Sequence, residues 1–369
     1  MGKRELLLLV VFVVLGVGVY QVTAPAATTE SKGFSISRMF QFAKAHLQGR
    51  QARRTVTRTA TLTPAAGVET VVIGEIRGAI VVEGTDKPDI EVRLEASLSG
   101  IDEEDLAAQD KVLALEVVNE GANAAVNLEF EHHGNRPRHE MRISVPRHLK
   151  VQLTGRATAE VRGVAGLHLE SFGGELEVED LAGPVTGDTE RLQANFAPGA
   201  VLQFSSHEGR IRADAPREVR LTCERTTVEV VDPTGPVTFT EDYCRMDVRR
   251  SGGPIKITGE GGTVELRQIT HPLTIQAERL TVSAELETAV PTTIQVEEDN
   301  VEVTLPRDGG IDLEAVTTDG DLRAPSEFTV TARENGSTLK QALNGGGVPV
   351  TLEIKRGWLR LRTRGAAGT

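Results

Sequence analysis

The two cysteines of the chain, Cys223 and Cys244, are the residues whose spacing most directly suggests chemistry. In the segments VRLTC and CRMDV, apolar and polar residues alternate, so both cysteines should lie on the buried face of their strands. If one repeat is eighteen residues long, Cys244 lies over Thr226, one corner beyond Cys223. That arrangement would bring the thiols close enough for a disulfide, which export would permit. The alternative is two buried thiols that pack as small apolar side chains.

Three histidines form a second candidate cluster. His132, His133 and His139 lie in the segment HHGNRPRH, and imidazoles this close together can bind zinc or copper. The Gly, Asn and Pro between them favour a solvated loop, in which nothing fixes a tetrahedral geometry. We therefore predict no metal site here.

Carboxylates alternate along several stretches, such as Glu175–Glu179 and Val301–Val303. A polysaccharide-cleaving β-helix enzyme would use a pair of carboxylates on one face. Alternation alone, however, places such groups on the outer, hydrated face of a strand. Solvated surface residues are the interpretation that we adopt.

Other catalytic and cofactor motifs are missing from the sequence. The turns at 232–236, 251–254 and 259–262 lack the repeated aspartate of calcium-binding β-rolls. No Gly-x-Ser-x-Gly elbow, Cys–His signature or phosphate-binding glycine loop occurs. The sequence thus predicts no catalytic residue and no cofactor.

The element that must position all these side chains is a nine-residue repeat. Beginning at Val219, an apolar residue recurs at every ninth position, and a second one follows two residues later. The first members are Val219, Val228, Val237, Met246, Ile255, Val264, Leu273 and Val282. An apolar pair at i and i+2 predicts a strand with one buried face, followed here by a turn of about four residues.

Prolines mark every second unit, at Pro236, Pro254 and Pro272. Two units therefore predict one coil of eighteen residues in a parallel β-solenoid. Residues 219, 237, 255 and 273 should form one inward column, and residues 228, 246, 264 and 282 another. The same rhythm begins at Leu167, slips at Leu192 and continues through Val201.

Strand patterns also surround these repeats. Residues 59–150 alternate as strands around one short helix at Asp102–Lys111, whose first turn is acidic. After Val282 the rhythm loosens, but strands are predicted as far as Arg364. The final ones carry Lys355, Arg356, Arg360, Arg362 and Arg364. These cations could dock an anionic partner, but we interpret them as protection of an exposed sheet edge.

The N-terminus predicts a membrane or export segment. An uncharged apolar run, Leu6–Tyr20, follows Lys3 and Arg4, and Ala24–Ala26 offers a cleavage site. A signal anchor and a cleaved signal peptide both remain open for residues 1–27. The basic residues of the following linker, 28–58, fit an anionic lipid surface, and Gly33–Gln48 could form an interfacial amphipathic helix or a solvated stalk.

Charge separates this N-terminal part from the rest. The chain has a formal net charge of -12, yet residues 1–58 carry nine lysines and arginines against two glutamates. The body is therefore strongly acidic, which argues against nucleic acid as a partner. Aromatic residues make up only 4%, a low value for a protein that stacks sugars or bases.

Four segments resemble a known family. The segments GAIVVEGTDKPDIEVR and RISVPRHLKVQLTG, with TTDGDLRA and NGGGVPVTLEIKRGWLRL near the end, are similar to the bacterial β-strand-repeat family of adhesin-like domains. The resemblance covers about residues 60–364 and implies a right-handed, single-stranded β-helix, often behind an N-terminal membrane segment in envelope proteins. It implies no catalytic residue.

The sequence therefore predicts an all-β solenoid protein of the cell envelope. Its expected parts are residues 1–27 as signal segment, 28–58 as linker, 59–150 as an N-terminal β part and 151–364 as solenoid repeats with a cap. We expect a non-enzymatic, adhesin-like binding or structural module, with an envelope protein or polysaccharide as partner. The alternatives are a glycan-binding or polysaccharide-acting β-helix protein and a membrane-attached sensor facing the cytoplasm.

Overall fold

The computed structural model describes residues 52–74, 78–100, 102–130 and 138–364. The expected signal segment 1–27, most of the linker, His132 and His133 lie outside these residues. In the described ranges, no helix is long and apolar enough to cross a membrane.

The described chain is all-β, with 23 strands in one sheet and one α-helix. The strands before the central repeats are β1 (Ala52–Leu62), β2 (Thr70–Ile73), β3 (Ala79–Thr85), β4 (Ile90–Gly100), β5 (Leu113–Glu120), β6 (Asn123–Phe130) and β7 (Arg138–Pro146). Helix α1 spans Glu103–Val112. The central strands are β8 (Lys150–Arg162), β9 (Gly166–Glu179), β10 (Val185–Phe196), β11 (Val201–Asp214), β12 (Glu218–Val231), β13 (Val237–Arg249), β14 (Ile255–Ile269) and β15 (Leu273–Leu286). The remaining strands are β16 (Thr292–Val296), β17 (Val301–Leu305), β18 (Ile311–Thr318), β19 (Asp321–Arg323), β20 (Thr331–Arg333), β21 (Gly336–Leu343), β22 (Val348–Lys355) and β23 (Trp358–Thr363).

The predicted eighteen-residue register is confirmed from β12 to β15. Each strand from β8 to β15 pairs in parallel with the next one along the chain. Val237 lies opposite Val219 on one side and Ile255 on the other. Ile255 in turn lies opposite Leu273. The second column runs as predicted through Val228, Met246, Val264 and Val282. We call each level of this stack a layer.

The individual strands are longer than the sequence pattern predicted. Two nine-residue units fuse into one strand of 12–15 residues in β9–β15, without a four-residue turn between them. One or more residues with positive φ bend each of these strands instead, such as Arg225 with φ 47° and Tyr243 with φ 52°. Because one such residue redirects the chain without ending the ladder, both halves keep their hydrogen bonds.

The interruption of the nine-residue repeat near Leu192 takes a different form in the structure from the one predicted. Val185 pairs with Leu202, and Leu202 pairs with Val219, so two successive layers advance by seventeen residues. Leu202 is buried and Val201 only half-buried, so Leu202 takes the inward position that the periodicity assigned to Val201.

A continuous apolar core, made mostly of aliphatic side chains, runs along the stack through successive layers. Val237, Phe239, Ile257 and Ile275 are each at most 1% exposed. A fully buried side chain of this type stabilises the fold by roughly 1.5–3 kcal/mol. The prolines close the other corner, and the carbonyl of Pro236 accepts the Val219 amide at 3.0 Å.

The N-terminal end departs from a simple parallel coil. The layer formed by β2 and β3 lies between β8 on one side and the layer of β6 and β7 on the other. Outside them, three pairs are antiparallel: β1 with β4, β4 with β7, and β5 with β6. Strand β1 begins at Ala52, so it includes residues 52–58 that were assigned to the linker, and it buries Val56.

The predicted helix is confirmed as α1. The Asp102 side chain accepts the Asp105 amide at 2.9 Å and so caps the first turn, which carries three acidic residues. Leu106 is fully buried and fastens the helix to the core.

The C-terminal end has an inserted layer. Strands β16 and β17 form one layer, β18 and β19 form the outermost parallel one, and β22 and β23 lie between them. Strand β21 then pairs antiparallel with β18, and β20 with β21. We call the position between β16/β17 and β18/β19 the C-terminal slot. Because β22 and β23 have neighbours on both sides, the prediction that their cations protect an exposed edge is wrong.

Candidate functional site

The two cysteines meet at the bent corner of β12 and β13. Cys223 is 2% exposed, Cys244 is 1% exposed, and both are free thiols. The Thr226 amide donates to the Cys244 sulfur at 3.5 Å, as expected if Cys244 stacks on Thr226. The Cys244 thiol donates to the Asp242 carbonyl at 3.6 Å. Oxidation of the two cysteines to a disulfide stays a prediction.

A buried glutamate completes this group. Glu241 is 4% exposed and lies directly opposite Cys223 in the ladder between β12 and β13. Its Oε2 accepts the Cys244 amide at 3.3 Å, and its Oε1 is buried without a hydrogen-bond partner. We call Cys223, Thr226, Glu241 and Cys244 the corner cluster.

The surroundings change the acidity of each group in the corner cluster. Burial raises the pKa of Glu241 to about 7, opposed by the Cys244 amide and assisted by the charge of Asp242. The hydrogen bond with Cys244, together with burial, raises the pKa of the Cys223 thiol. The hydrogen bond from Cys223 lowers the pKa of Cys244, and the Thr226 amide acts in the same direction. Cys244 is therefore the thiol that ionises first.

Glu241 was not predicted as a site residue, although the alternation of its segment marks it as facing inward. In the segment VTFTED, Val237 and Phe239 point inward, and the same alternation turns Glu241 inward. A carboxylate in phase with an apolar column is the pattern that could have identified it.

The outer surface of the central strands has two different faces. The first halves of β12–β15 carry three outward columns, and the one beside the bent corner consists of Glu224, Asp242, Glu260 and Glu278. The other two columns continue onto β16, and we call them the hydroxyl face. Its members are Arg220, Thr222, Thr238, Thr240, Lys256, Thr258, Thr274, Gln276, Thr293 and Gln295. No carboxylate stands at these ten positions, although the body of the protein is acidic. Thr222, Thr240 and Thr274 make no side-chain hydrogen bond to any other described residue.

The second halves of neighbouring strands carry paired charges instead, and we call this the ion-paired face. Arg212 contacts Glu229 at 3.3 Å, and Arg249 contacts Asp247 at 2.5 Å. The hydrogen bond from Arg249 lowers the pKa of Asp247. Arg267 pairs with Glu265 in the same way. Most charge on this face is thus satisfied within the protein.

The carboxylates that alternate in the sequence fall into two groups. Glu175, Glu177 and Glu179 are exposed, as the solvated-surface interpretation predicts. Glu302 differs, because its side chain is 23% exposed and contacts Arg362 at 3.1 Å and Arg360 at 3.6 Å. It is a structural ion-pair partner and not a free surface group.

The C-terminal cations also have partners within the chain. Arg356 contacts Glu298 at 2.7 Å, and Lys355 contacts Glu297 at 3.6 Å. Arg364 pairs with Glu285 and Glu287. Glu297 and Glu298 lie between β16 and β17, in the layer next to β22 and β23, whereas Glu285 and Glu287 lie at the end of β15, one layer further. The cations thus fasten the inserted layer to two layers of the stack. This arrangement does not favour docking of an anionic partner.

Only one of the three clustered histidines lies in the part of the chain that the structure describes. His139 lies on β7, whereas His132 and His133 are outside the described residues. Among the residues that are described, no group of three His, Cys, Asp or Glu side chains could hold a metal ion.

Comparisons with known proteins give similarities to solved structures only. No protein-family model matches the chain, and no curated protein matches it. A "putative cell adhesion protein" from Clostridium sporogenes is 10% identical, with 84% of this chain and 100% of the other covered and a TM-score of 0.21. A "putative lipid binding protein" from Parabacteroides distasonis is 13% identical, with coverages of 82% and 96% and a TM-score of 0.30. A "putative adhesin" from Bacteroides fragilis is 9% identical, with coverages of 84% and 97% and a TM-score of 0.22. The resemblance to the β-strand-repeat family therefore stays a prediction.

Proposed function

We propose that this protein is a non-catalytic binding module of the cell envelope, a right-handed β-solenoid that contacts an envelope polysaccharide through its hydroxyl face. In this proposal residues 1–27 direct the chain to the membrane or through it, and the basic linker lies near anionic lipid. The described body stands outside the cytoplasm.

The observation that carries the proposal is the absence of carboxylates from the hydroxyl face. Threonine is a good strand former, which alone could explain its abundance. Other outward positions of the same strands, however, carry carboxylates: Glu229, Asp247 and Glu265 in the second halves, and Glu224, Asp242, Glu260 and Glu278 beside the corner. Strand propensity is the same along each strand, so the difference in charge calls for another cause.

The chemistry of the hydroxyl face fits a polymer of hydroxyl groups. Free hydroxyls can donate and accept hydrogen bonds, and Lys256 and Arg220 tolerate a neutral or weakly acidic chain. Neighbouring strands are about 4.8 Å apart, so five layers offer a repeated contact over roughly 20 Å. Many weak contacts along one polymer then add up to useful affinity.

Binding of the purified protein to a panel of neutral and acidic polysaccharides tests this proposal. Thr258→Glu places a carboxylate in the hydroxyl face and should weaken binding at least tenfold, about 1.4 kcal/mol. The matched control is Thr263→Glu, because Thr263 is an outward threonine of the same strand in its second half. Equal losses in the two variants, or binding by neither them nor the parent protein, would contradict the assignment of this face.

Location is tested separately with a phosphatase reporter fused after residue 51, ahead of β1. An active phosphatase supports a body outside the cytoplasm. A silent phosphatase together with an active cytoplasmic reporter would favour the sensor that faces the cytoplasm.

A further inference from the structure

We propose that Cys223 and Cys244 are a redox-active pair that closes to a disulfide inside the core, and that Glu241 accepts the proton of the second thiol to react. The binding surface needs none of these three groups. Their placement together at one corner therefore requires its own account.

The fold does not require polar groups at this position. The column that contains Cys223 and Glu241 also passes through Phe172, Ala277 and Val296 in other layers. Apolar side chains thus satisfy the same position elsewhere in the stack. A buried polar group without its hydrogen bond costs about 1–3 kcal/mol, so a carboxylate here is retained against a penalty.

Two buried polar side chains flank Cys223 in this column. Ser206 lies opposite Cys223 on β11, and Glu241 lies opposite it on β13. The hydroxyl of Ser206 and the Oε1 atom of Glu241 are both buried without a hydrogen-bond partner. Cys223 is thus placed between a hydroxyl and a proton acceptor, and the Cys244 amide donates to that acceptor at 3.3 Å.

The corner cluster lies only one residue below the surface. Arg225, Asp242 and Tyr243 surround it and are exposed, with Tyr243 54% exposed. The thiols themselves are closed off, so an oxidant reaches them through local opening of the corner. The corner is a suitable place for such opening because Arg225 and Tyr243 hold left-handed backbone conformations.

The oxidant that we consider is a small disulfide of the glutathione class. The Cys244 thiolate, held by the Thr226 amide and the Cys223 thiol, attacks one sulfur and displaces the first glutathione as a thiolate. Cys223 then gives its proton to Glu241, and its sulfur attacks the mixed disulfide at Cys244. The second glutathione leaves and takes up the proton from Glu241. The proton lost earlier by Cys244 reaches the first glutathione through solvent, so two thiols are oxidised and one disulfide is reduced.

Few other titratable groups face Glu241. Strand β12 contributes Cys223, its own strand β13 contributes Asp242 and Cys244, and β14 contributes only the backbone of Gly259. Ionisation of Cys244 also affects the rate, so Glu241 is identified by the part of the rise through pH 7 that Glu241→Gln removes.

The first experiment uses the whole, reduced protein and oxidised glutathione. After alkylation under denaturing conditions, we expect mass spectrometry to show loss of both free thiols and of two mass units, without a glutathione adduct. Cys223→Ser should instead keep a glutathione on Cys244. Thiols that remain free, or a stable adduct on the parent protein, would overturn the proposal.

The second experiment tests Glu241. Glu241→Gln should slow disulfide closure by about 100-fold, the lower figure for a positioned proton acceptor, and remove the rise in rate through pH 7. Asp242→Asn is the matched control and should keep both. An unchanged rate and profile in Glu241→Gln would refute the role of Glu241. If that variant does not fold, a parent profile without an inflection near pH 7 refutes it equally.

Discussion

The centre of the stack and its two ends share one register but are joined differently. In the centre, each strand pairs with its neighbours in the sequence, from β8 to β15. At each end, two layers that follow one another in the chain are separated by a layer from elsewhere in the sequence. That layer is formed by β2 and β3 at one end and by β22 and β23 at the other.

This difference separates two kinds of cohesion. Central layers are held by nearest-neighbour contacts, so each one is stabilised by the two layers beside it. The inserted layers join segments that are far apart in sequence, as β22 joins β16 to β18. The ends should therefore open as larger cooperative units than the centre does.

A cavity in the C-terminal slot should destabilise a larger part of the stack than a cavity in the centre. Phe239 and Leu352 are both 0% exposed, in the centre and in the C-terminal slot respectively. Phe239→Ala should cost about 3–5 kcal/mol and Leu352→Ala about 2–5 kcal/mol of unfolding free energy, through lost burial and a cavity. Chemical denaturation measures both costs.

Hydrogen exchange then shows which strands each cavity destabilises. Leu352→Ala should expose β18, β19 and β21 together, because the inserted layer holds them. Phe239→Ala should affect mainly β12 to β14. Continued protection of β18 and β19 in Leu352→Ala would mean that the ends are no more cooperative than the centre.

The central corner cluster should make stability fall as the pH rises. The pKa of Glu241 is about 7 in the folded protein against a reference value of 4.5. Between these values the folded state binds more protons than the unfolded state, so stability is lost as the pH increases from about 4.5 to about 7. The loss can reach about 3 kcal/mol, at 1.36 kcal/mol for each pKa unit.

Denaturation at several pH values checks this slope. Glu241→Gln should remove it, whereas Asp242→Asn should leave it in place. A parent protein whose stability is flat from pH 5 to 7 would contradict the burial argument.

Ion pairs should contribute more where they join layers than where they stay within one strand. Glu302 contacts Arg360 and Arg362 on the inserted layer, whereas Glu265 contacts Arg267 on its own strand. Glu302→Gln should cost about 1 kcal/mol, the upper value for partly exposed pairs, and less in high salt. Glu265→Gln should cost less, and equal losses would remove this distinction between centre and end.

The smallest effect on stability is expected for an exposed carboxylate outside the ion pairs described above. Glu177→Gln should change stability by no more than about 0.5 kcal/mol, because Glu177 is exposed. It should also leave polysaccharides uncleaved and binding unchanged. A loss of turnover on any polysaccharide, with melting unaffected, would identify an enzyme and reject a non-catalytic module.

The central register could be predicted because an apolar pair repeats from Val219 to Ala284 with little interruption. Such periodicity determines which residues share a column, but it does not determine the order of the layers. The segment from Val348 therefore resembles the next coil in sequence, while its layer lies between two earlier ones. Only partners far apart in sequence, such as Glu302 and Arg362, record that insertion.

The bent corners and the corner cluster were harder to predict from the sequence than the register. Left-handed residues are usually sought at glycine, but here Arg225 and Tyr243 occupy that conformation. The cysteines could be placed together because they are rare and eighteen-residue stacking relates Cys244 to Thr226. Glu241 was hidden among many outward glutamates, and only its phase relative to Phe239 distinguishes it.

The C-terminal slot makes the closure of this end of the stack depend on the order of synthesis. Strands β22 and β23 follow both neighbouring layers in the chain, so they leave the ribosome after those layers. Until then β17 and β18 expose apolar residues such as Val303 and Leu313, which are buried in the finished fold. A chain interrupted after Arg323 would keep these residues exposed and prone to aggregation. Insertion of β22 and β23 covers them.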